Sequence, residues 1–430
     1  MLDIKRIDKK FEPDSKRVII KPHIPKDDGR IKNIITRVLN LSEEKVNQTL
    51  DRVVKNFSYR HKNIWSAWER NYNEVKKYIP QNTQISENRK ALIGAYFSSE
   101  YSVQSAAFFN PSIVMHPNQN DLPEESLRFI LSFRSVGEGH ISSIEFRSGI
   151  VDKNCNFTFD KVSPFAERAE VVSRPVHSNY EMQFRPDQDL SEKIIFPASD
   201  NDSNGIEDAR FVRFVDDDGS VTYYATYTAY NGHEILPQII ETKDFCTFNI
   251  ITLNGDFSKN KGMALFPRKI NGKYAMISRV DGENLYIMYS ENIRSWQNAK
   301  LLKEPENEWE FVQIGNCGSP IETEEGWILL THGVGPMREY CLGVILLDID
   351  NPDEISGNIS EPLLICNEEE REGYVPNVVY SCGAVKHNDN LIIPYAMSDT
   401  CSGIATISLS ELFENIKKKK EKRKGYVKSM

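Results

Sequence analysis

From about residue 96 onward one local pattern returns five times, and it limits the fold more than any other feature of the chain. A strand is followed by a tight turn rich in Gly or Asp, then by a second apolar strand and a third. The pattern runs through LRFILSFRSVGEGHISSIEFRSGIV (127–151), ARFVRFVDDDGSVTYYATYTAY (209–230), MALFPRKINGKYAMISRVDGENLYIMYS (263–290), SPIETEEGWILLTHGVGPMREYCLGVILLDI (319–349) and GAVKHNDNLIIPYAMSDTCSGIATISL (383–409). Short aromatic and β-branched strands bounded by turn residues predict an all-β body. Sheet units recurring every roughly 50–70 residues fit radial repetition, here a five-bladed β-propeller. A pair of stacked sheets is the alternative.

The flanks have a different texture. Residues 1–30 hold three prolines and mixed charge, an extended arm with one short strand over Arg17–Lys21. Between Ile31 and about Ile79, apolar residues (Ile34, Ile35, Val38, Leu39, then Leu50, Val53, Val54) recur at helical spacing. Ser42 with Glu44 marks a helix start, so two or three helices ending near Pro80 are expected. The last residues form a short helix running into a solvated basic tail, KKKKEKRKGYVKSM. The expected organisation is thus an arm and helical segment (1–95), a β-propeller (96–412), and a C-terminal helix end with its tail (413–430).

Composition excludes several classes. The 430 residues are 40% hydrophobic and 27% charged, enough apolar material for a large core. A net charge of -9 argues against a general nucleic-acid binder while allowing a local basic pocket. No run approaches the ~20 apolar residues of a membrane span, and MLDIKRIDKKFEPDSKR lacks a signal-peptide core. A cytoplasmic protein without nucleic-acid or membrane partners is expected. Cys155, Cys246, Cys317, Cys341, Cys366, Cys382 and Cys401 show no metal-ligand spacing and are expected as free thiols.

Propeller strands point at a common axis, so a site collects polar residues from the strand ends of every blade. The first unit offers Asn110, Arg134, Ser135, His140 and Arg147; the second Glu207, Asp208 and Arg210; the third Lys261 and Arg279. The fourth offers Gln313, His332 and Tyr340, and the fifth Asn377 and Asp399. Adjacent acids at the mouth of a strand, in GIEDARF, suit glycosidic chemistry. A partly buried carboxyl with a raised pKa protonates the leaving oxygen, while its ionised neighbour holds a sugar hydroxyl. An inverting hydrolase then needs a second carboxylate to activate water. A phosphorolytic enzyme needs cations to hold phosphate instead.

The ordered set NPSIV (110–114), GIEDARF (205–211), ALFPRKINGKYAMISR (264–279), GSPIETEEGWILLTHG (318–333) and VPNVVYSCGAV…LIIPYAMSDT (375–400) resembles glycoside hydrolase family 130, the β-mannoside phosphorylases and related β-1,2-mannosidases. The resemblance covers about residues 90–412 and implies a five-bladed β-propeller. It implies Asp208 as the general acid, its proton passing through the mannose 3-hydroxyl to the glycosidic oxygen. Lys261, Arg279, His332 and Tyr340 are implied to hold phosphate; Asn110, Glu207 and Asp399 are implied to hold sugar, and Arg134, Arg147 and Arg210 are expected beside them. Two positions depart from the family pattern: Gln313 stands where lysine is frequent, and Lys261 where arginine is commoner. The N-terminal helices lie outside the minimal propeller and are assigned to packing or homo-oligomerisation.

The expected activity is an inverting β-mannoside phosphorylase. It cleaves a β-mannosyl linkage, β-1,2 by preference, with inorganic phosphate as co-substrate, giving α-mannose 1-phosphate. No metal or organic cofactor is expected. The rivals are an inverting β-1,2-mannosidase using Glu138 or Glu283 as base, and a non-catalytic sugar-binding propeller.

Overall fold

Each of the five repeats folds as an antiparallel meander in the computed structural model, which describes residues 2–176 and 179–417. The first sheet contains Ala107–Met115, Leu127–Val136 and Ser142–Val151. The second, joined to the first by a parallel bridge between Gly205 and Ser142, runs through Gly205–Val215, Val221–Tyr230, Ile235–Thr242 and Thr247–Thr252. Residues 152–204, between the first two repeats, carry further strands; Asn179–Gln183 and Glu170–Val176 extend the second sheet at its outer edge. The third sheet is Ala264–Leu265, Tyr274–Ser278, Leu285–Ser290 and Lys300–Lys303. The fourth holds Gln313–Asn316, Gly326–Val334, Tyr340–Leu347 and Ile355–Asn358. The fifth holds Val379–Tyr380, Asn390–Met397 and Cys401–Ser408, with Lys5–Arg6 pairing on the last of these. The N-terminal arm thus contributes an edge strand to the sheet nearest the C-terminus.

Alternation along these strands fills the spaces between sheets. Ile144 and Phe146 meet Phe211 and Ala225 between the first and second sheets. Val212 and Ile239 meet Met276 and Met288 between the second and third. Ile277 and Ile287 meet Leu329 and Ile345 between the third and fourth. Leu330 and Val344 meet Ile393 and Tyr395 between the fourth and fifth. Phe108 and Phe133 meet Ile392 and Ile404 between the first and fifth. Each fully buried side chain of this size contributes about 1.5–3 kcal/mol.

Residues 14–105 with 163–168 form a separate compact unit. Its helices are α1 (Asp28–Leu39), α2 (Glu43–Phe57), α3 (Ile64–Val75) and α4 (Glu87–Tyr96). Asp27, Ser42, Asn63 and Ser86 cap them by accepting a backbone N–H. The expected strand near Arg17 is Val18–Pro22, paired with Ser98–Ser102. Sequence reading stops one helix short, because α4 has no single apolar stripe. Arg89, Leu92, Ile93 and Gly94 are all buried, so the helix is covered on several sides. Arg89 donates to the carbonyls of Val38, Leu39 and Leu41 at the end of α1 and to Glu43. Gly94 lies against the Trp68 carbonyl; a Cβ there would sit 2.1 Å from that oxygen.

Residues 409–417 are helical, and the basic tail beyond Lys417 lies outside the described residues. The seven cysteines are free thiols, and Cys317, Cys341, Cys382 and Cys401 are buried. Among the described residues no helix is long and apolar enough to cross a membrane.

Candidate active site

Successive strand residues point to opposite faces, so Glu207 and Asp208 ought to diverge. A β-bulge prevents this. The pairing of Gly205–Val215 with Val221–Tyr230 slips between Glu207 and Arg210, and Asp208 takes a left-handed φ of 55°. Both carboxylates then meet one guanidinium: Arg134 donates to Glu207 Oε1 at 2.8 Å and to Asp208 Oδ1 at 3.4 Å. The first sheet uses the same device. Its register slips between Phe109 and Ser112, and Asn110 has φ 47°. The Asn110 amide donates to Asp208 Oδ1 at 2.6 Å. Asn and Asp tolerate this conformation better than other side chains, and such local strain gathers at functional sites.

The third sheet contributes cations. Lys261 donates to Glu207 Oε2 at 2.6 Å. Arg279 donates to His332 Nε2 at 3.3 Å. Since Arg is only a donor, His332 Nε2 is the acceptor and the imidazole is neutral. Burial, followed by the charges of Arg279 and Arg210, holds its pKa well below the usual histidine range. The ring lies between Tyr380, edge-on at 5.0 Å, and Tyr340, stacked at 5.9 Å. Gly315 makes room for it, because a Cβ there would lie 2.3 Å from Cε1.

Arg210 is fully committed beneath this layer. It donates to the carbonyls of Cys317 and Asp208 at 3.0 Å and to the Tyr380 hydroxyl at 2.6 Å. It braces Asp208 from below rather than facing into the cluster. Arg147 is not brought to the cluster either. Its guanidinium donates to the Phe146 carbonyl and lies over the Phe108 ring, beside Glu145. Asp399 follows Ser398 in a turn where both are left-handed (φ 52° and 48°), within electrostatic reach of Asp208, Arg134 and Arg338. Asn377, also left-handed, is held by Arg371 at 2.8 Å. Gln313 is half-buried at the start of its strand. Glu138 and Glu283 are exposed on turns.

The electrostatics reverse one expectation. Burial pushes the Asp208 carboxyl up, but Arg134, then Arg210, Lys261 and the Asn110 amide outweigh it and hold its pKa below the usual carboxylate value. The raised carboxyl is Asp399. Burial and the neighbouring Asp208 charge push it to about 6. Sequence reading also passed over Arg338, Tyr380 and Asn316. The last is fully buried, and neither polar atom of its amide has a hydrogen-bond partner; Arg279 Nε and Asn110 Oδ1 share that state. Buried polar groups are ordinarily satisfied, so the cluster carries unused hydrogen-bonding capacity. Among the described residues no group of His, Cys, Asp or Glu is arranged to hold a metal.

A family profile described as beta-1,4-mannooligosaccharide phosphorylase matches residues 181–418. A 1,2-beta-oligomannan phosphorylase of Thermoanaerobacter sp. (strain X514) is 32% identical over 228 residues, covering 52% of this chain and 75% of its own. A beta-1,2-mannobiose phosphorylase of Listeria innocua serovar 6a is 30% identical, over 53% of this chain and 64% of that one. In fold, the chain is similar to the solved Listeria innocua beta-1,2-mannobiose phosphorylase in complex with beta-1,2-mannobiose. The TM-score is 0.52 at 20% identity, over 73% of this chain and 92% of that one. A structure reported for family members that hydrolyse beta-1,2 mannosidic linkages in Candida mannan superposes at TM-score 0.50, with 19% identity, over 72% and 86% of the two chains. A mostly β body with N-terminal helices, two acids on one guanidinium, and a family profile spanning the sheet that carries the acids identify the chain as a member of glycoside hydrolase family 130, an enzyme of the mannoside-phosphorylase type acting on β-mannosidic linkages.

Proposed function

We propose that the chain is an inverting phosphorylase of β-1,2-mannosides, working from a closed five-bladed β-propeller and releasing α-mannose 1-phosphate. The closed ring is supported by the five apolar clusters between sheets, one of which joins the first sheet to the fifth. The β-1,2 linkage is favoured by the two relatives described above. The observation that carries phosphorolysis is the gathering of cations at the cluster: Arg134 and Lys261 act on the Asp208 carboxylate, and Arg279 stands at His332.

Phosphate needs no general base, and Lys and Arg donors suit its oxygens. Lys261 and Arg279 would hold it, with neutral His332 donating or accepting beside them and Tyr340 packed on the imidazole. Asn110, Arg134, Glu207 and Asp399 would hold the mannosyl hydroxyls. Asp208 would supply the proton that the leaving oxygen takes up. Its low pKa comes from cations, so a phosphate anion placed among them offsets their pull and favours the protonated acid. The overall proton count closes: phosphate loses a proton on becoming the ester, and the departing sugar gains one.

The test incubates the enzyme with β-1,2-mannobiose, with and without phosphate. Sugar phosphate formed only with phosphate supports the reading; free mannose in both tubes without sugar phosphate establishes the hydrolase instead. Asp208→Asn is expected to lower turnover by roughly 10²–10⁴-fold with the fold retained. A non-catalytic sugar binder would show no turnover to lose. For the helical unit we propose assembly, supported by the exposed side chains of Phe57, Tyr59, Trp65 and Tyr96.

A further inference from the structure

Two rows of side chains lead outward from the cluster to the surface. The first starts at buried His332, continues through half-buried Tyr340 stacked on it at 5.9 Å, and ends at exposed Arg338, whose guanidinium lies 5.9 Å from the Tyr340 ring. The second starts at Asp399. The Thr400 hydroxyl accepts the Tyr374 N–H at 2.9 Å, and Gly373 packs so closely on this turn that a Cβ would sit 2.4 Å from the Ser398 carbonyl. Tyr374 is 70% exposed, and its ring lies 5.7 Å from that of His140 at a tilt of 38°. Arg338 lies within electrostatic reach of the Asp399 carboxyl, so the outer end of the first row is near the inner end of the second.

The backbone of this rim is constrained. His140, Met337 and Arg338 all have left-handed φ (59°, 57° and 60°) in the short turns Glu138–His140 and Pro336–Arg338. Left-handed residues other than glycine are costly, and such strain persists where a side chain must be aimed. An exposed aromatic pair next to a planar cation and a carboxyl group matches a pyranose, which offers an apolar C–H face to rings and hydroxyls to polar groups.

We propose that Tyr374, His140 and Arg338 form the subsite for the departing sugar, with Tyr374 as the platform that sets acceptor preference. This rests on the phosphorolytic reading: the rows start at His332, beside Arg279, and at Asp399, coupled to Asp208, so phosphate and the mannosyl group take the inner ends and the outer ends are left for the departing sugar. The mannosyl group and phosphate should then be indifferent to the rim.

The reaction run in reverse separates these roles. With α-mannose 1-phosphate as donor and mannose, glucose or β-1,2-mannobiose as acceptor, Tyr374→Ala is expected to raise the acceptor KM about tenfold, the loss of one aromatic contact. The KM for α-mannose 1-phosphate should stay within about twofold, and Tyr374→Phe, which keeps the ring, should resemble wild type. Arg338→Met should raise the acceptor KM as well. An unchanged acceptor KM in Tyr374→Ala, or an equal rise in the donor KM, overturns the assignment. If wild-type enzyme neither makes nor consumes sugar phosphate, the phosphorolytic reading fails by itself. The subsite is then judged by saturation-transfer NMR of free mannose and β-1,2-mannobiose. A transfer signal that disappears in Tyr374→Ala and persists in Tyr374→Phe sustains it; a signal as strong in Tyr374→Ala as in wild type refutes it.

Discussion

Asp399 gives the most direct check on the electrostatics of the cluster. Its carboxyl has a pKa of about 6 in the folded protein against 3.8 for the unperturbed group, first through burial and then through the charge of Asp208. Because the folded value is the higher one, the folded state binds the proton more tightly. The group favours folding below pH 3.8 relative to high pH, and that advantage is lost as pH rises through about 6. The difference corresponds to about 3 kcal/mol, fully expressed above about pH 6.5 and reduced to about half of that near pH 5. Asp399→Asn removes the titration while keeping size and tolerance of a left-handed backbone. Relative to wild type, the variant is therefore expected to gain stability as pH rises from 4 to 6.5 and to level off above it. For a chain of this size the gain is roughly 3 °C in Tm. The assay is thermal unfolding of both proteins across that pH range, compared as the difference in Tm so that shared titrations cancel. A difference that does not change with pH, or that shrinks as pH rises, refutes the account of a buried neutral acid beside an ionised Asp208.

Three further outcomes follow from the same geometry. Arg279→Gln removes the cation at His332; on the proposed assignment the KM for phosphate should rise roughly 10–100-fold, as for loss of a charge-assisted hydrogen bond, while the KM for mannoside changes little; initial rates with each substrate varied in turn decide it. Phosphate binding should carry a proton onto Asp208, because the anion offsets Arg134 and Lys261; calorimetric titration below pH 6 in two buffers of different ionisation enthalpy should give different heats, and the difference should shrink in Asp208→Asn. Gly94→Ala forces a methyl group against the Trp68 carbonyl and should destabilise the helical unit by about 1–3 kcal/mol, seen as an earlier helical transition by circular dichroism with phosphorolysis retained.

The sheets were legible because their signals are local. Alternating β-branched and aromatic residues, broken by turns such as DDDG and NG, mark strands without reference to the rest of the chain. The site was legible only in part, because it depends on register. Arg134 and Arg147 lie on the two strands of one hairpin and look equivalent by spacing, yet Arg134 pairs with Ile144 and Arg147 with Leu131. Residue 147 is an odd number of positions from 144, so the two guanidinium groups leave opposite faces of the sheet. A sequence does not fix that register when the turn between the strands can close in several ways. The bulges at Asn110 and Asp208 are harder still: each inserts one extra residue, and although Pro111 within its strand hints at one, GIEDARF reads as a regular strand.

Protonation was the least legible property, and the reason is physical. The adjacent acids invited the reading that one of them keeps a raised pKa by burial. Burial does act on Asp208 in that direction, but guanidinium groups from the first and second sheets and an ammonium from the third together overcome it. Asp399 is also buried and also feels Arg134, yet it stays high because burial dominates and the charge of Asp208 adds to it. The two carboxyls are therefore coupled: burial raises Asp399 first, and an ionised Asp208 raises it further. Any change that neutralises the cations around Asp208, phosphate binding included, should move both acids, and a mechanism assigned to either one alone would misplace the proton.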